Sequence, residues 1–257
     1  MADELVHYTV DDGVARITLD SPHNRNALSA QLRRELRDHL ATAAGDDTVR
    51  VILLDHTGPV FCAGMDLKEA GDPGSSTAGV NEFPQILTQL WTSPKPVVAK
   101  LAGPARAGGV GIVAAADIAV AVDSATFAFT EVRLGLVPAV ISVTVLPRLL
   151  PRAAHELFLT GEKFGARRAV EIGLLNSAVP ADALDAEVDR YTGMLALGGP
   201  TALAATKAML RRARAADMAD DFADMLALSS GFFAAEEGQE GIRAFAEKRS
   251  PSWVPNG

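Results

Sequence analysis

Val49-Arg-Val-Ile-Leu-Leu-Asp-His-Thr-Gly-Pro-Val-Phe-Cys-Ala-Gly-Met-Asp-Leu67 passes from a β-branched apolar run into a glycine-bearing loop. The run Val49–Asp55 predicts a buried strand, and Ala63-Gly64 permits a tight turn that aims the next N–H outward. Asp66 then stands where it satisfies the free donors of a following helix. Ahead of the strand, Leu32, Leu36 and Leu40 recur every four residues behind Ser29, a fitting N-cap, with Arg33, Arg34, Glu35 and Asp38 on the other face. They predict an amphipathic crossover helix. Val14–Leu19, Pro96–Leu101 and Asp117–Val122 are three further strand candidates. Strands separated by helices predict an α/β layered fold with parallel or mixed sheets, whose chemistry sits in loops after strand C-termini.

From Ala181 to Lys248 the pattern becomes Ala/Leu-rich and helical, interrupted by Gly198-Gly199-Pro200, Gly231 and Gly238. Gly71-Asp-Pro-Gly-Ser-Ser-Thr-Ala-Gly79 has the small, turn-forming residues of a loop, either a lid or a solvated connector.

Composition narrows the function. With 24 basic and 32 acidic residues the formal charge is −8, and no dense Lys/Arg run tracks a phosphate backbone, so no nucleic-acid partner is expected. No apolar run is long enough to span a bilayer, and Met1-Ala-Asp-Glu-Leu-Val6 has no signal-peptide character; a soluble cytoplasmic protein without a membrane partner is expected. The lone Cys62 has no disulfide partner, and His7, His23, His39, His56 and His155 show no ligand spacing. No metal is expected, and the histidines read as surface or packing residues.

Three segments place glycine or a carboxylate where a core does not require it. The first is Gly58–Leu67. The second, Gly103-Pro-Ala-Arg-Ala-Gly-Gly-Val-Gly-Ile112, lies between a strand and a small-residue helix, where Gly108 and Gly109 allow a ligand to approach a positive helix end. Two N–H groups from separate loops suit a developing enolate or tetrahedral oxyanion on a thioester; each glycine pair alone reads as well as helix–sheet packing. In the third, Phe127-Ala-Phe-Thr-Glu-Val-Arg-Leu-Gly-Leu-Val-Pro138, Glu131 is flanked by apolar residues. It reads equally as a desolvated acid/base and as the partner of Arg133 on one face of a strand.

Taken together, the ordered set resembles the enoyl-CoA hydratase/isomerase (crotonase) family along nearly the whole chain. The matching segments are Asn24-Arg-Asn-Ala-Leu-Ser29, Phe61–Leu67, Lys95-Pro-Val-Val-Ala99, Ala107-Gly-Gly109, Ala115-Ala-Asp-Ile118, Thr130–Pro138, Leu159-Thr-Gly-Glu-Lys163, Ala169–Leu174 and Ala244-Phe-Ala-Glu-Lys-Arg249. The resemblance implies an α/β fold that is a spiral of ββα units, a core over 1–197 holding an acyl-CoA site, and a helical region over 198–257 that assembles a homotrimer or hexamer. It implies that Met65 and Gly108 supply the oxyanion N–H groups and that Glu131 is a catalytic glutamate. Arg25, Ala27, Leu28 and Ala63 would lie along coenzyme A, with Lys248 reaching it, from a neighbouring subunit in one version. Asp66, Gly109 and Gly111 complete the implied substrate-binding set. No cofactor is implied, since coenzyme A belongs to the substrate.

Two departures mark this chain. Hydratases of the family carry a first glutamate where Gly111 stands here, and glycines are common where Ala139-Val-Ile-Ser142 follows Pro138. Hydration then requires a substitute, for which Glu69, Asp72 and Glu82 are candidates, whereas double-bond isomerisation needs one base, Glu131. Two other readings are a non-catalytic acyl-CoA-binding protein and a dinucleotide site at Gly108. The second lacks the G-x-G-x-x-G pattern.

Overall fold

The structure, a computed structural model, describes residues 3–66, 69, 73–212 and 218–254. A six-stranded sheet is built from β1 (Val6–Asp11), β2 (Val14–Leu19), β3 (Val51–His56), β4 (Val97–Leu101), β6 (Ile118–Val122) and β9 (Ser177–Val179), in that order. Only β1 and β2 are antiparallel; every later pairing is parallel. All six residues of β3 are buried, as a central strand covered on both faces requires. The four predicted strands are present. β1 was not foreseen, because an edge strand exposing most of its side chains carries little apolar signal. A smaller sheet joins β5 (Ala105–Arg106), β7 (Thr126–Ala128) and β8 (Phe164–Gly165), pieces too short to show a period.

Helix α1 (Ala30–Gly45) is the predicted crossover. Ser29 Oγ accepts from Leu32 N at 3.3 Å, and Leu32, Leu36 and Leu40 are buried against the sheet. Truncating such a residue, Leu36→Ala, would cost about 2–5 kcal/mol. Helix α2 (Pro73–Thr92) runs through most of the segment expected to be a loop. Gly71 and Asp72 of the predicted loop lie outside the described residues, while 73–79 are helical; Pro73 at the first helical position has no N–H to lose there.

Helix α3 (Gly108–Ala115) is buried at every position, a core helix without a polar face. Against it pack α2 and the short α4 (Ala139–Val145). Helices α5 (Pro151–Thr160) and α6 (Ala166–Glu171) follow, and α7 (Leu184–Ala196) covers β3, β4 and β6. The described residues after 180 are helical through α8 (Pro200–Arg211), α9 (Met218–Ala234) and α10 (Glu236–Glu247). Lys207 ties α8 to the rest: its ammonium lies 2.6 Å from Asp117 and donates to Leu90 O and Lys95 O, both at 3.1 Å. No helix among the described residues is long and apolar enough to cross a membrane.

Candidate active site

Three chain segments lie side by side at the C-terminal ends of β3 and β4. Leu28 N donates to Gly64 O at 2.8 Å and Ala63 N to Arg25 O at 3.1 Å, while Phe61 N reaches Pro104 O and Arg106 N reaches Cys62 O, both at 3.0 Å. Leu28 and Met65 form a parallel bridge. In a parallel ladder one residue of a bridged pair makes both bonds and its opposite number points its own N–H and C=O away. Leu28 makes the bonds here, so the Met65 N–H faces outward. Gly108 opens α3, so its N–H is one of the donors a helix start leaves free and lies at the positive end of the helix. Among the described residues neither the Met65 nor the Gly108 N–H has an acceptor.

The two loops approach closely because of Gly64. Its φ is +91°, and a Cβ there would lie 3.0 Å from Ala107 Cβ and 3.4 Å from Gly108 N. Ala107 adopts φ 46°, ψ −117°, a strained conformation for a residue with a side chain. It is held there by Ala107 N donating to Ala128 O at 3.1 Å. The strain lies directly before the free Gly108 N–H.

Glu131 follows β7 and opens a 3₁₀ turn, Glu131–Leu134, closed by Gly135 at φ 72°. The alternative strand reading, in which Glu131 pairs with Arg133 on one face, is therefore wrong. Gly135 reverses the chain, and Arg133 Nε donates instead to Thr160 O at 3.0 Å. Glu131 Oε2 is buried without any hydrogen-bond partner. Burial pushes its pKa above the ordinary carboxylate value, opposed only by its own backbone N–H. Glu131 shares a cavity of about 330 Å³ with Ala63, Met65, Gly108, Val140 and Ile141. An unpaired carboxylate in an apolar cavity with two free N–H donors has the parts of a proton-transfer site that stabilises an oxyanion.

The place of the absent first glutamate is filled. A Cβ on Gly111 would lie 2.6 Å from Ile141 Cγ2 and 3.1 Å from Ile141 Cβ. The two sequence departures thus fit each other, the side chain gained on α4 taking the room left on α3. Glu69 Oε2 accepts from Ala30 N at 2.8 Å at the start of α1, Glu82 lies 3.5 Å from Arg33, and Asp72 is outside the described residues. Neither described loop carboxylate lines the cavity.

Other expected site residues divide. Ala63 lines the cavity; Ala27 and Leu28 are buried beside it, and Arg25 is exposed in the left-handed region with Lys248 likewise at the C-terminal cap of α10, outside its own chain's cavity. Asp66 accepts from Asn24 Nδ2 at 3.2 Å, and Leu67 and Lys68 of the helix expected after it are not among the described residues. Gly109, expected to admit a ligand with Gly108, is a packing glycine: its Cβ would meet Cys62 O at 2.6 Å. Gly111 likewise faces Ile141 and not the cavity.

His56 was read as an ordinary packing residue and does more. Ala102 N donates to its Nε2 at 3.0 Å, which leaves Nδ1 as the protonated nitrogen, 3.2 Å from Thr57 O. Phe61 meets the ring edge-on at 5.5 Å between centroids. The imidazole so joins the chain leading to Met65 with the chain leading to Gly108, and burial pulls its pKa below 6.5. The sequence held no signal for this, because the partners are backbone atoms.

Comparison with known proteins adds a family. Residues 9–256 match the family model described as enoyl-CoA hydratase/isomerase. The mitochondrial enoyl-CoA hydratase domain-containing protein 3 of Mus musculus is 33% identical over 248 residues, 94% of this chain and 82% of that protein. A solved enoyl-CoA hydratase from Mycobacterium smegmatis superimposes with a TM-score of 0.91 at 32% identity, covering 98% of this chain and 99% of the other. One from Mycobacterium avium is 44% identical with a TM-score of 0.75, covering 98% and 100%.

Proposed function

This chain belongs to the enoyl-CoA hydratase/isomerase family and has the crotonase fold, and on that premise we propose that it moves protons on acyl-CoA thioesters through an enolate, as an isomerase, in preference to adding water. One observation carries the reading: among the described residues the cavity is lined by one carboxylate, Glu131, with an unpaired oxygen, and the position of a second is closed by Ile141 against Gly111. The thioester oxygen would sit between the Met65 and Gly108 N–H groups, where negative charge developing on it is stabilised in a water-poor site. Glu131 would take a proton from one carbon and return it to another two positions along the chain. Hydration asks for a second group to position and deprotonate water, and losing a positioned acid/base usually lowers rate by about 10²–10⁴.

In this reading Arg25, Ala27, Leu28 and Ala63 follow the coenzyme A, no separate cofactor is needed, and Lys248 meets the coenzyme A of a neighbouring subunit. A homotrimer, or a hexamer of two, is supported by the apolar surface on the C-terminal helices, where Phe222, Leu226, Phe233 and Phe245 are all more than half exposed.

Paired assays test the proposal: hydration of a short 2-enoyl-CoA, and conversion of a 3-enoyl-CoA to its 2-enoyl isomer in heavy water. Isomerisation or α-deuterium incorporation should exceed hydration. Efficient hydration overturns the preference, and tight acyl-CoA binding with neither activity favours a binding protein.

A further inference from the structure

Helix α1 buries a charge that its leucine period assigns to the outer face. Arg33 has only 5% of its side chain exposed and lies with Leu32 and Leu36 among the buried residues of the helix. A guanidinium carries five N–H donors in a rigid fork, and burying it without a full set of partners is costly. Here the set is incomplete: Nη1 donates to Leu28 O at 2.6 Å, Nη2 lies 3.5 Å from Glu82 Oε2 on α2, and Nε is buried without a partner. An apolar side chain of similar volume would pack there without that cost. The guanidinium therefore contributes through what it holds.

What it holds is a residue in contact with both oxyanion donors. Leu28 N donates to Gly64 O at 2.8 Å, and the parallel bridge between Leu28 and Met65 uses the N–H and C=O of Leu28 while leaving the Met65 N–H facing outward. The Leu28 side chain abuts the other donor: a Cβ on Gly108 would lie 2.9 Å from Leu28 Cδ1 and 3.4 Å from Phe83 Cζ. Glu82, the second partner of Arg33, immediately precedes Phe83, which lines the catalytic cavity. One buried fork thus joins the segment that presents Met65, the side chain that meets Gly108 and the turn of α2 that supplies Phe83. A bond from a charged donor fixes a carbonyl more firmly than a neutral one does, and a misplacement of about 1 Å in a catalytic site costs about 10²-fold in rate.

We infer that Arg33 is a positioning residue of the oxyanion hole: by fixing Leu28 O and the α2 turn at Glu82, it sets where the Met65 N–H stands relative to the Gly108 N–H. It acts from outside the cavity, which it does not line. This rests on the acyl-CoA reading above.

The carbonyl of a bound thioester reports the placement of the two donors. Octanoyl-CoA isotopically labelled at that carbonyl is bound to the parent protein, Arg33→Met, Arg33→Lys and Leu40→Val. Its carbonyl stretch is read by infrared difference spectroscopy, beside titrated affinity, circular dichroism, melting temperature and turnover in the paired assays. In the parent the stretch should fall below that of free octanoyl-CoA. Arg33→Met keeps the stem and loses the donors; it should lose at least half of that shift and at least about tenfold in turnover, with affinity within about threefold of the parent. Arg33→Lys, with one nitrogen to serve both Leu28 O and Glu82, should keep an intermediate shift. Leu40→Val loosens the same helix about two turns further on; it should lower the melting temperature and leave the stretch at its parental value. Parental stretch and turnover in every folded Arg33 variant overturn the inference and leave the acyl-CoA reading standing. So does a loss of shift that Leu40→Val reproduces for the same fall in melting temperature, because Arg33 then only stiffens α1. A parent that binds octanoyl-CoA with no shift overturns the oxyanion placement, and one that binds no acyl-CoA overturns the acyl-CoA reading; the inference falls with either.

Discussion

The two walls of the catalytic cavity differ in what their residues oppose. On one side Glu131 presents a half-buried carboxylate with an oxygen left unpaired, a costly arrangement that folding alone does not favour. On the other, Gly111 and Ile141 interlock with no polar group between them, the arrangement that any core prefers. In the function proposed above, the first wall serves proton transfer and the second leaves no room for another side chain at position 111. Position 111 cannot be judged alone, because Ile141 has taken its room.

The largest expected effect breaks the polar wall. Glu131→Gln should lower turnover by at least about 10²-fold while acyl-CoA affinity persists, and unchanged turnover in steady-state assays would remove Glu131 from the chemistry. The pH dependence has a definite sign. The folded pKa is raised above the unfolded value of 4.5, so the unfolded chain releases the proton first, and folded stability falls as pH climbs through that window. The acid limb of activity should then lie above the ordinary carboxylate range, and Glu131→Gln should melt slightly higher than the parent at neutral pH.

Next comes the oxyanion hole. Gly108→Pro deletes one donor at the start of α3 and should lower turnover by about 10² or more in a protein whose circular dichroism is unchanged. Full activity in such a protein would reduce Gly108 to packing.

The apolar wall gives a sharper comparison. Gly111→Glu alone should destabilise by about 1–3 kcal/mol or more, since its Cβ meets Ile141 Cγ2 at 2.6 Å. It should not raise hydration. Gly111→Glu combined with Ile141→Gly frees the space, and hydration should then rise by about tenfold or more over the parent. A rise in the single variant would show that Ile141 does not close the wall.

The smallest effect concerns His56. Its folded pKa lies below 6.5, so the unfolded chain binds the proton more readily, and stability present above 6.5 is lost as pH falls. Glutamine can accept from Ala102 N–H without titrating. His56→Gln should flatten the loss of melting temperature and activity between neutral and mildly acid pH, and an unaltered profile would show that the imidazole does not govern it.

Much of the frame was legible in the sequence because it depends on repeated local signals. The apolar runs of β2, β3, β4 and β6 and the four-residue leucine period of α1 need only periodicity and burial. Gly64 was legible as a turn residue and stands at φ +91°, whereas Gly108 stayed open between ligand approach and helix–sheet packing. The loop expected over 71–79 failed at 73–79 because small residues have weak preferences of their own, which a helix beginning at Pro73 overrides. Glu131 was ambiguous until Gly135 was seen to close a turn, since spacing alone does not distinguish a strand face from a 3₁₀ turn.

By itself the sequence determined the layered α/β class, the helical character after residue 180 and the presence of one carboxylate among apolar residues, all properties carried by neighbours along the chain. Only the tertiary structure decided what each glycine of α3 faces. Gly108 opens onto the cavity, Gly109 rests on Cys62 and Gly111 on Ile141, within one turn of the same helix. A glycine records that space is needed; what enters the space comes from residues 30 or more positions away, placed there by packing.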